Sequence, residues 1–240
     1  FVAGRKRVPI PAAGTITVFT PCGWSVVDKL ITHHPTPRGY AEGMNIREKK
    51  SELRARMTQA RRDMSPEQAR SEDAAIIAHA AALLRSLTPV ETSVAAYSPL
   101  PGEPGGPLLL DALHGEASSL LLPVSLPGGR LDWAAYQGRL ALSPGVLGIA
   151  EPTGERQGPD AILSCRLILV PALGVSPEGV RLGKGGGFYD RALARFADVE
   201  DPPRTAVLLY NGEIRDDIPT EKHDMPVDMA ITPAGVRHFR

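Results

Sequence analysis

The stretch RLGKGGGFYD, residues 181–190, combines four glycines with three charged side chains. Its glycines are Gly183, Gly185, Gly186 and Gly187. Glycine loses more freedom on folding than any other residue, so such a cluster indicates a sharp turn or the close approach of a ligand. Backbone N–H groups freed of side chains can cradle phosphate oxygens. Arg181 and Lys184 add positive charge, and the carboxylate of Asp190 is a ligand type that suits a divalent cation. The stretch therefore predicts a phosphate site.

The match to common phosphate-binding patterns is poor. Lys184 is followed by glycine, so the stretch is not G-x-x-x-x-G-K-[ST], and it is not G-x-G-x-x-G with an acidic residue at the right distance. A flexible glycine turn that joins two elements therefore remains an alternative, although the flanking charges make a bare turn less favoured.

The elements around this stretch place it at an edge of a sheet. The apolar run RLILVPAL (166–173) is typical of a strand buried on both faces, and a helix is predicted over 188–196. In open α/β sheets ligands bind beyond the carboxyl ends of the strands, and helix N-termini favour phosphate.

The rest of the chain alternates between the two element types. Strands are predicted at 92–97, 118–124, 128–136, 204–210 and 227–232. Helices are predicted at 45–64, at 65–87 with Ser65 as N-cap and Gln68 completing a capping box, and at 107–115 closed by Gly115. The alternation predicts a three-layer α/β/α fold with a mainly parallel sheet.

Composition limits the class of protein. The 240 residues suffice for one sizeable domain, the formal net charge of zero gives no hint of nucleic acid or an anionic membrane, and no apolar run approaches a membrane span of about 20 residues. Two cysteines are too few for a disulfide framework. We expect a cytoplasmic monomer with no nucleic-acid or membrane partner.

Residues 1–43 differ from the rest of the chain. Prolines interrupt every apolar run, and a strong helical pattern begins only at Met44. The segment is predicted to be a disordered upstream extension, with residues 44–240 forming the folded domain. A functional extension or a targeting segment remains the alternative.

LVPALGVSPEGVRLGKGGGFYDRAL (169–193) closely resembles the signature of the 5-formyltetrahydrofolate cyclo-ligase family. Further pieces follow in that family's order, namely KKSELR (49–54), AAYSPLPGE (95–103), GIAEP (148–152) and EKHDMPVDMAIT (221–232). The resemblance implies an enzyme that uses ATP and Mg²⁺ to close 5-formyltetrahydrofolate into 5,10-methenyltetrahydrofolate. Such an enzyme must position two substrates and stabilise charge on the transferred phosphoryl group.

The resemblance also implies roles for particular residues. The implied ATP-binding residues are Lys50, Arg54, Arg181, Gly183, Lys184, Gly185, Gly186, Gly187, Phe188 and Tyr189. Lys184 and Tyr189 are implied to act at the reacting centre, and Ser98, Glu103 and Trp133 to contact the folate. Asp190 and Asp224 match the positions that bind Mg²⁺.

Each of these roles has a plainer alternative. Lys50 and Arg54 would otherwise form a solvated basic helix face, Glu103 an exposed loop charge, and Asp224 a turn residue before proline. Core packing is the alternative for Trp133. Val124 stands where the family often has an arginine, and Phe188 replaces the first of two tyrosines. A folate- or nucleotide-binding protein without turnover, or a phosphotransferase acting on another small molecule, remain the rival functions.

Overall fold

The computed structural model describes residues 16–20, 23–27, 44–87, 92–221 and 224–239. The chain divides into two units, Phe1–Gly39 and Tyr40–Arg240. In the first unit, β1 (Ile16–Thr20) pairs with β2 (Gly23–Val27) as an antiparallel ribbon. The remainder of residues 1–43 lies outside the described residues, and the predicted disorder of that segment stays a prediction.

A seven-stranded sheet forms the centre of the second unit. Its strands are β3 (Ser93–Ala95), β4 (Ser119–Leu126), β5 (Arg130–Ala135), β8 (Leu167–Val170), β11 (Arg204–Leu208), β12 (Met229–Thr232) and β13 (Gly235–His238). Their order across the sheet is β13-β12-β11-β8-β3-β4-β5. The five inner strands run parallel, and each edge strand is antiparallel to its neighbour. All four residues of β8 are buried, as expected for a strand covered on both faces.

Four short strands form two further ribbons. These strands are β6 (Leu142–Pro144), β7 (Ala150–Pro152), β9 (Gly174–Val175) and β10 (Arg181–Leu182). β6 pairs with β7, and β9 with β10, both in antiparallel fashion. The sequence did not predict either ribbon.

Helices cover both faces of the sheet. They are α1 (Ile46–Asp63), α2 (Pro66–Ser86), α3 (Leu109–Glu116) and α4 (Phe188–Leu193). Apolar residues of α2 and α3 pack on one face, and α4 with its following 3₁₀ turn packs on the other. The predicted three-layer α/β/α fold with a mainly parallel sheet is confirmed. No helix of the described residues is long and apolar enough to span a membrane.

Helix ends differ from the prediction in three places. The Ser65 side chain accepts a hydrogen bond from the Gln68 N–H, but the Gln68 side chain donates to Glu72, so the reciprocal capping box is absent there. The full capping box joins Asn45 and Glu48 at the start of α1. Gly115 lies within α3, which continues through Glu116. α4 has only six residues, because its last turn tightens into a 3₁₀ helix.

Candidate active site

The glycine stretch lines a cleft of about 380 Å³. The cleft lies beyond the carboxyl ends of β3 and β8, where the fold class places ligands. The predicted site residues that line it are Ser98, Glu103, Arg181, Gly183, Lys184, Gly185, Gly186, Gly187, Phe188, Tyr189 and Asp190. Eleven of the fifteen predicted residues therefore meet in one place, although the segments that carry them are far apart in the chain.

The loop backbone has the conformation that its glycines permit. Gly185 and Gly187 adopt φ values of +95° and +68°, which are strained for residues with a side chain. The backbone N–H groups of Gly185 and Gly186 find no hydrogen-bond acceptor among the described residues. The Arg191 side chain donates to the carbonyl oxygen of Gly186 at 2.8 Å and fixes the loop from behind. The loop thus offers free donors to an anion.

Glu103 holds Lys184 at the cleft. The Lys184 ammonium lies 2.6 Å from one carboxylate oxygen of Glu103, and the other oxygen accepts the Leu100 N–H at 2.8 Å. Glu103 is 8% exposed, whereas Lys184 is open to solvent. Each oxygen therefore has one partner, and the carboxylate fixes the cation. Lone pairs remain for a ligand, and the predicted folate contact of Glu103 stays a prediction.

The Tyr189 hydroxyl is buried and has no hydrogen-bond partner among the described residues. Burial raises the pKa of this phenol well above its usual value, so the hydroxyl stays protonated at neutral pH. A buried, unpaired hydroxyl is costly, and a substrate atom in the cleft would supply the missing partner.

Arg181 and Asp190 form an ion pair. The Asp190 carboxylate is 72% exposed, and the Arg181 side chain is largely buried. No group of three or more His, Cys, Asp or Glu side chains suited to a metal occurs in the described part of the chain. One carboxylate at a phosphate site still fits Mg²⁺, because that ion takes one or two carboxylates and completes its shell with phosphate and water.

The first helix contributes two predicted residues that do not line the cleft. The Arg54 guanidinium donates to the Gly183 carbonyl oxygen at 2.8 Å and so supports the glycine loop from outside. The Lys50 ammonium lies 2.8 Å from Glu221 and 2.9 Å from Asp224. Burial by itself lowers the pKa of Lys50, but these two carboxylates more than offset it, so the pKa is raised. Lys50, which the resemblance assigns to the ATP phosphates, thus contacts Asp224, which the resemblance assigns to Mg²⁺.

Trp133 does not reach the cleft. It is 1% exposed within the apolar core and meets the Tyr189 ring edge-on, with centroids 6.4 Å apart. The geometry therefore favours core packing for Trp133, and its predicted folate contact stays a prediction. Leu131 and Trp133 lie two residues apart on β5, so they face the same side of the sheet and belong to one apolar cluster, but only Leu131 lines the cleft.

Sequence reasoning missed Glu151, which lines the cleft from β7. The segment GIAEP (148–152), which contains Glu151, formed part of the family resemblance, but no role was assigned to its glutamate. Val124 lies on β4 between the cleft-lining residues Pro123 and Ser125. Neighbouring strand residues face opposite sides, so a side chain at position 124 is directed away from the cleft.

Comparisons with known proteins agree on one family. The model of the 5-formyltetrahydrofolate cyclo-ligase family matches residues 46–233. A 5-formyltetrahydrofolate cyclo-ligase of Mycolicibacterium smegmatis is 34% identical over 77% of this chain and 93% of its own length. A 5-formyltetrahydrofolate cyclo-ligase of Escherichia coli K12 is 27% identical over 74% of this chain and 97% of its own length. The NMR structure of Aquifex aeolicus 5,10-methenyltetrahydrofolate synthetase covers 80% of this chain and 93% of its own, with a TM-score of 0.64 and 31% identity.

Proposed function

The chain belongs to the 5-formyltetrahydrofolate cyclo-ligase family, and we infer that it is an enzyme that converts 5-formyltetrahydrofolate to 5,10-methenyltetrahydrofolate with ATP. One ATP is cleaved to ADP and phosphate in each cycle. The observation that carries this proposal is a loop of unpaired N–H groups and a fixed ammonium in one cleft of 380 Å³.

The reaction needs ATP because the formyl oxygen is a poor leaving group. That oxygen attacks the γ-phosphorus, and the bond to the β-phosphate oxygen breaks to release ADP. N10 then attacks the activated formyl carbon, the carbon–oxygen bond breaks, and phosphate departs with the former formyl oxygen. N10 loses its proton in the process. The protein must hold the formyl oxygen against the γ-phosphate in line and stabilise the charge of the transferred group.

The glycine loop is suited to the phosphates. The N–H groups of Gly185 and Gly186 would donate to phosphate oxygens, and Lys184 would stabilise the negative charge of the transferred phosphoryl group. Glu103 keeps the Lys184 ammonium at the cleft before ATP arrives, at 2.6 Å. A cation fixed in advance has less freedom to lose in the transition state.

Asp190 is the residue that fits a Mg²⁺ ion at the phosphates, since it is exposed at the cleft and lies three residues after Gly187. When bound, the ion would neutralise charge on the β- and γ-phosphates. Lys50 and Asp224 would serve as a second pair beside Arg54, the cation toward phosphate and the carboxylate toward the metal. Their mutual contact balances these charges in the absence of ATP.

The Tyr189 hydroxyl is suited to the folate side of the reacting centre. It stays a neutral donor at neutral pH, so it would donate a hydrogen bond to an acceptor of the bound substrate. Ser98, buried beyond β3, lines the same cleft and would contact the folate.

The direct test follows the absorbance of 5,10-methenyltetrahydrofolate after ATP, Mg²⁺ and 5-formyltetrahydrofolate are mixed with the protein. We expect a rise that stops when any of the three is omitted, with one ADP formed per product. The Lys184→Ala variant serves as the matched protein control and should be at least tenfold slower. Binding of both substrates without any rise would instead favour a non-catalytic protein, and ADP formation without 5-formyltetrahydrofolate a different phosphotransferase.

A further inference from the structure

Glu151 is a second buried carboxylate in the cleft, and nothing in the reaction above uses it. It lies on β7, is 8% exposed and lines the cleft beside Ile149 and Ser125. One of its oxygens, Oε1, accepts the Ser125 N–H at 3.0 Å. Its other oxygen, Oε2, has no hydrogen-bond partner among the described residues.

Glu103 and Glu151 differ in how their charge is balanced. Glu103 contacts the Lys184 ammonium and a backbone N–H, so its charge is paired with a cation and each of its oxygens has one partner. No cation contacts Glu151 within the described part of the chain. Most of the Glu151 side chain is buried, but its free oxygen is open to the cleft, where it can accept a hydrogen bond from a donor of a bound ligand.

The chain also makes room for this carboxylate. A Cβ atom on Gly145, in the turn after β6, would lie 2.2 Å from the Glu151 carboxyl carbon. Only glycine at position 145 therefore leaves the Glu151 side chain where it is. The hydrogen bond from the Ser125 N–H and the space left by the missing side chain of Gly145 together position the Glu151 carboxylate.

The surroundings of Glu151 select the chemistry of its partner. The neighbouring lining residues Pro123, Leu131, Leu147 and Ile149 are apolar, whereas the cations of the cleft lie on the glycine stretch. Phosphate would be repelled by an unbalanced carboxylate and attracted to those cations. A flat, neutral heterocycle with N–H donors on one edge fits the apolar half.

We propose that Glu151 recognises the N–H donor edge of the pterin ring, its 2-amino group and N3–H, and thereby sets the specificity for the folate substrate. This inference rests on the proposed function. The free carboxylate oxygen accepts from the ring while the other oxygen stays on the Ser125 N–H. Gly145 acts as a positioning residue for the carboxylate.

The test compares Glu151→Gln with the wild-type protein. A glutamine keeps the size and one acceptor for Ser125, but it turns an NH₂ donor toward the donors of the ring. We expect a KM for 5-formyltetrahydrofolate at least thirtyfold higher, with the KM for ATP and the melting temperature nearly unchanged. Glu155→Gln is the matched control, because Glu155 is exposed on the same segment, and it should behave as wild type. Calorimetric titration with 5-formyltetrahydrofolate alone should show the same ratio of affinities.

A substrate analogue isolates the contact. The 2-desamino-2-methyl analogue of 5-formyltetrahydrofolate should bind at least tenfold more weakly than the natural compound to wild type, and less than threefold more weakly to Glu151→Gln. Gly145→Ala should reproduce the loss of affinity without removing the carboxylate. Equal discrimination by wild type and Glu151→Gln would overturn the proposal, as would a rise of both KM values together with a lower melting temperature. If the wild-type protein binds the substrate but gives no turnover, the proposed function fails, and calorimetry still decides the role of Glu151.

Discussion

At the scale of single residues, the three consecutive glycines of the loop are not equivalent. Gly185 and Gly187 require glycine because of their positive φ, whereas Gly186 has an ordinary φ and an alanine methyl there would lie 3.0 Å from the Phe188 ring. Gly186→Ala therefore avoids backbone strain and tests close approach to the loop, with a small shift of the Phe188 ring to admit the methyl. It could stabilise the chain by about 0.4–1 kcal/mol through the unfolded state if the loop were a plain turn.

We expect Gly186→Ala to raise the KM for ATP or lower turnover at least tenfold, because the methyl lies beside the N–H groups that would bind phosphate. That loss corresponds to about 1.4 kcal/mol of transition-state stabilisation. Lys184→Ala should act in the same direction through lost charge. The measurement is ATP kinetics beside melting temperature for both variants. Normal ATP kinetics in both would leave the loop as a turn without a phosphate role.

Asp190→Asn should weaken Mg²⁺-dependent turnover far more than folding. The carboxylate is 72% exposed, and asparagine keeps its size and an acceptor oxygen for the largely buried Arg181 side chain. A neutral amide is a poor ligand for a hard cation. A Mg²⁺ titration of turnover should shift at least tenfold to higher concentration, with little change in melting temperature. A titration curve that coincides with that of wild type would exclude Asp190 from the metal site.

The residue types in the sequence were enough to predict where the chemistry occurs. They were not enough to predict the direction of each side chain. The glycine stretch was recognisable from its glycines and flanking charges, whereas Glu103 was assigned only through the family resemblance. Trp133 lies in the core although Leu131 on the same face of β5 lines the cleft, and this difference depends on tertiary packing that the sequence pattern does not contain. Glu151 received no role because its burial depends on Gly145, whose position beside it comes from the β6–β7 pairing.

At the scale of elements, one buried ion pair anchors α1. The Arg61 guanidinium contacts both carboxylate oxygens of Glu213, at 2.7 and 2.8 Å, and also donates to the Ala172 carbonyl oxygen at 2.9 Å. Both side chains are at least nine-tenths buried. The same helix carries Arg54, which supports the loop at Gly183. The pair therefore links the position of the helix to the shape of the phosphate loop.

Arg61→Leu should lower the free energy of unfolding by about 3–5 kcal/mol, because it leaves Glu213 buried without its cation. Urea unfolding measures this change. Arg62→Leu is the control, since Arg62 is exposed one position further along, and it should change stability by less than about 0.5 kcal/mol. At temperatures where the variant remains folded, its KM for ATP should also rise. A similar small effect of both substitutions would show that α1 does not depend on this pair.

The Lys50 ion pairs predict a particular dependence on pH. The pKa of Lys50 in the folded protein is raised above the ordinary 10.5, so its pairs with Glu221 and Asp224 stabilise the fold fully below that pH. The contribution is lost as pH rises through the folded pKa. The difference in unfolding free energy between wild type and Lys50→Met should thus stay constant from pH 7 to 9.5 and shrink above about pH 10.5. A difference that stays constant to pH 11.5 would contradict this account.

Long elements were predictable and short ones were not. The helices α1 and α2 follow from apolar periodicity, and the start of α2 also follows from Ser65. The ribbons β6–β7 and β9–β10 have two or three residues in each strand, too few for a periodic pattern. Each is a local hairpin whose two strands are separated by five residues, 145–149 in one and 176–180 in the other, and so short a pairing leaves no periodic signal in the sequence.

At the scale of the whole molecule, the alternation of strands and helices suffices to predict the three layers, because parallel strands require crossover connections that cover the sheet. The site follows from the same topology, since the carboxyl ends of parallel strands meet at one edge. The three layers and the site are both formed by residues after position 44. The core clusters and the cleft belong to the unit Tyr40–Arg240, and the family match begins at residue 46.

A variant that begins at Met44 should therefore retain the stability and activity of the full chain. It keeps the Asn45 cap of α1 and every residue of the cleft. We expect kcat/KM for both substrates within twofold of the full chain. The melting temperature should change by less than about 4 °C, which is roughly 1 kcal/mol for a domain of this size. A second variant that begins at Ala55 is the control: it removes Lys50, Arg54 and the buried Leu53, which is 1% exposed, and so should lose both stability and turnover. A loss of either property on removing residues 1–43 alone would show that this segment contributes to the fold or to the site.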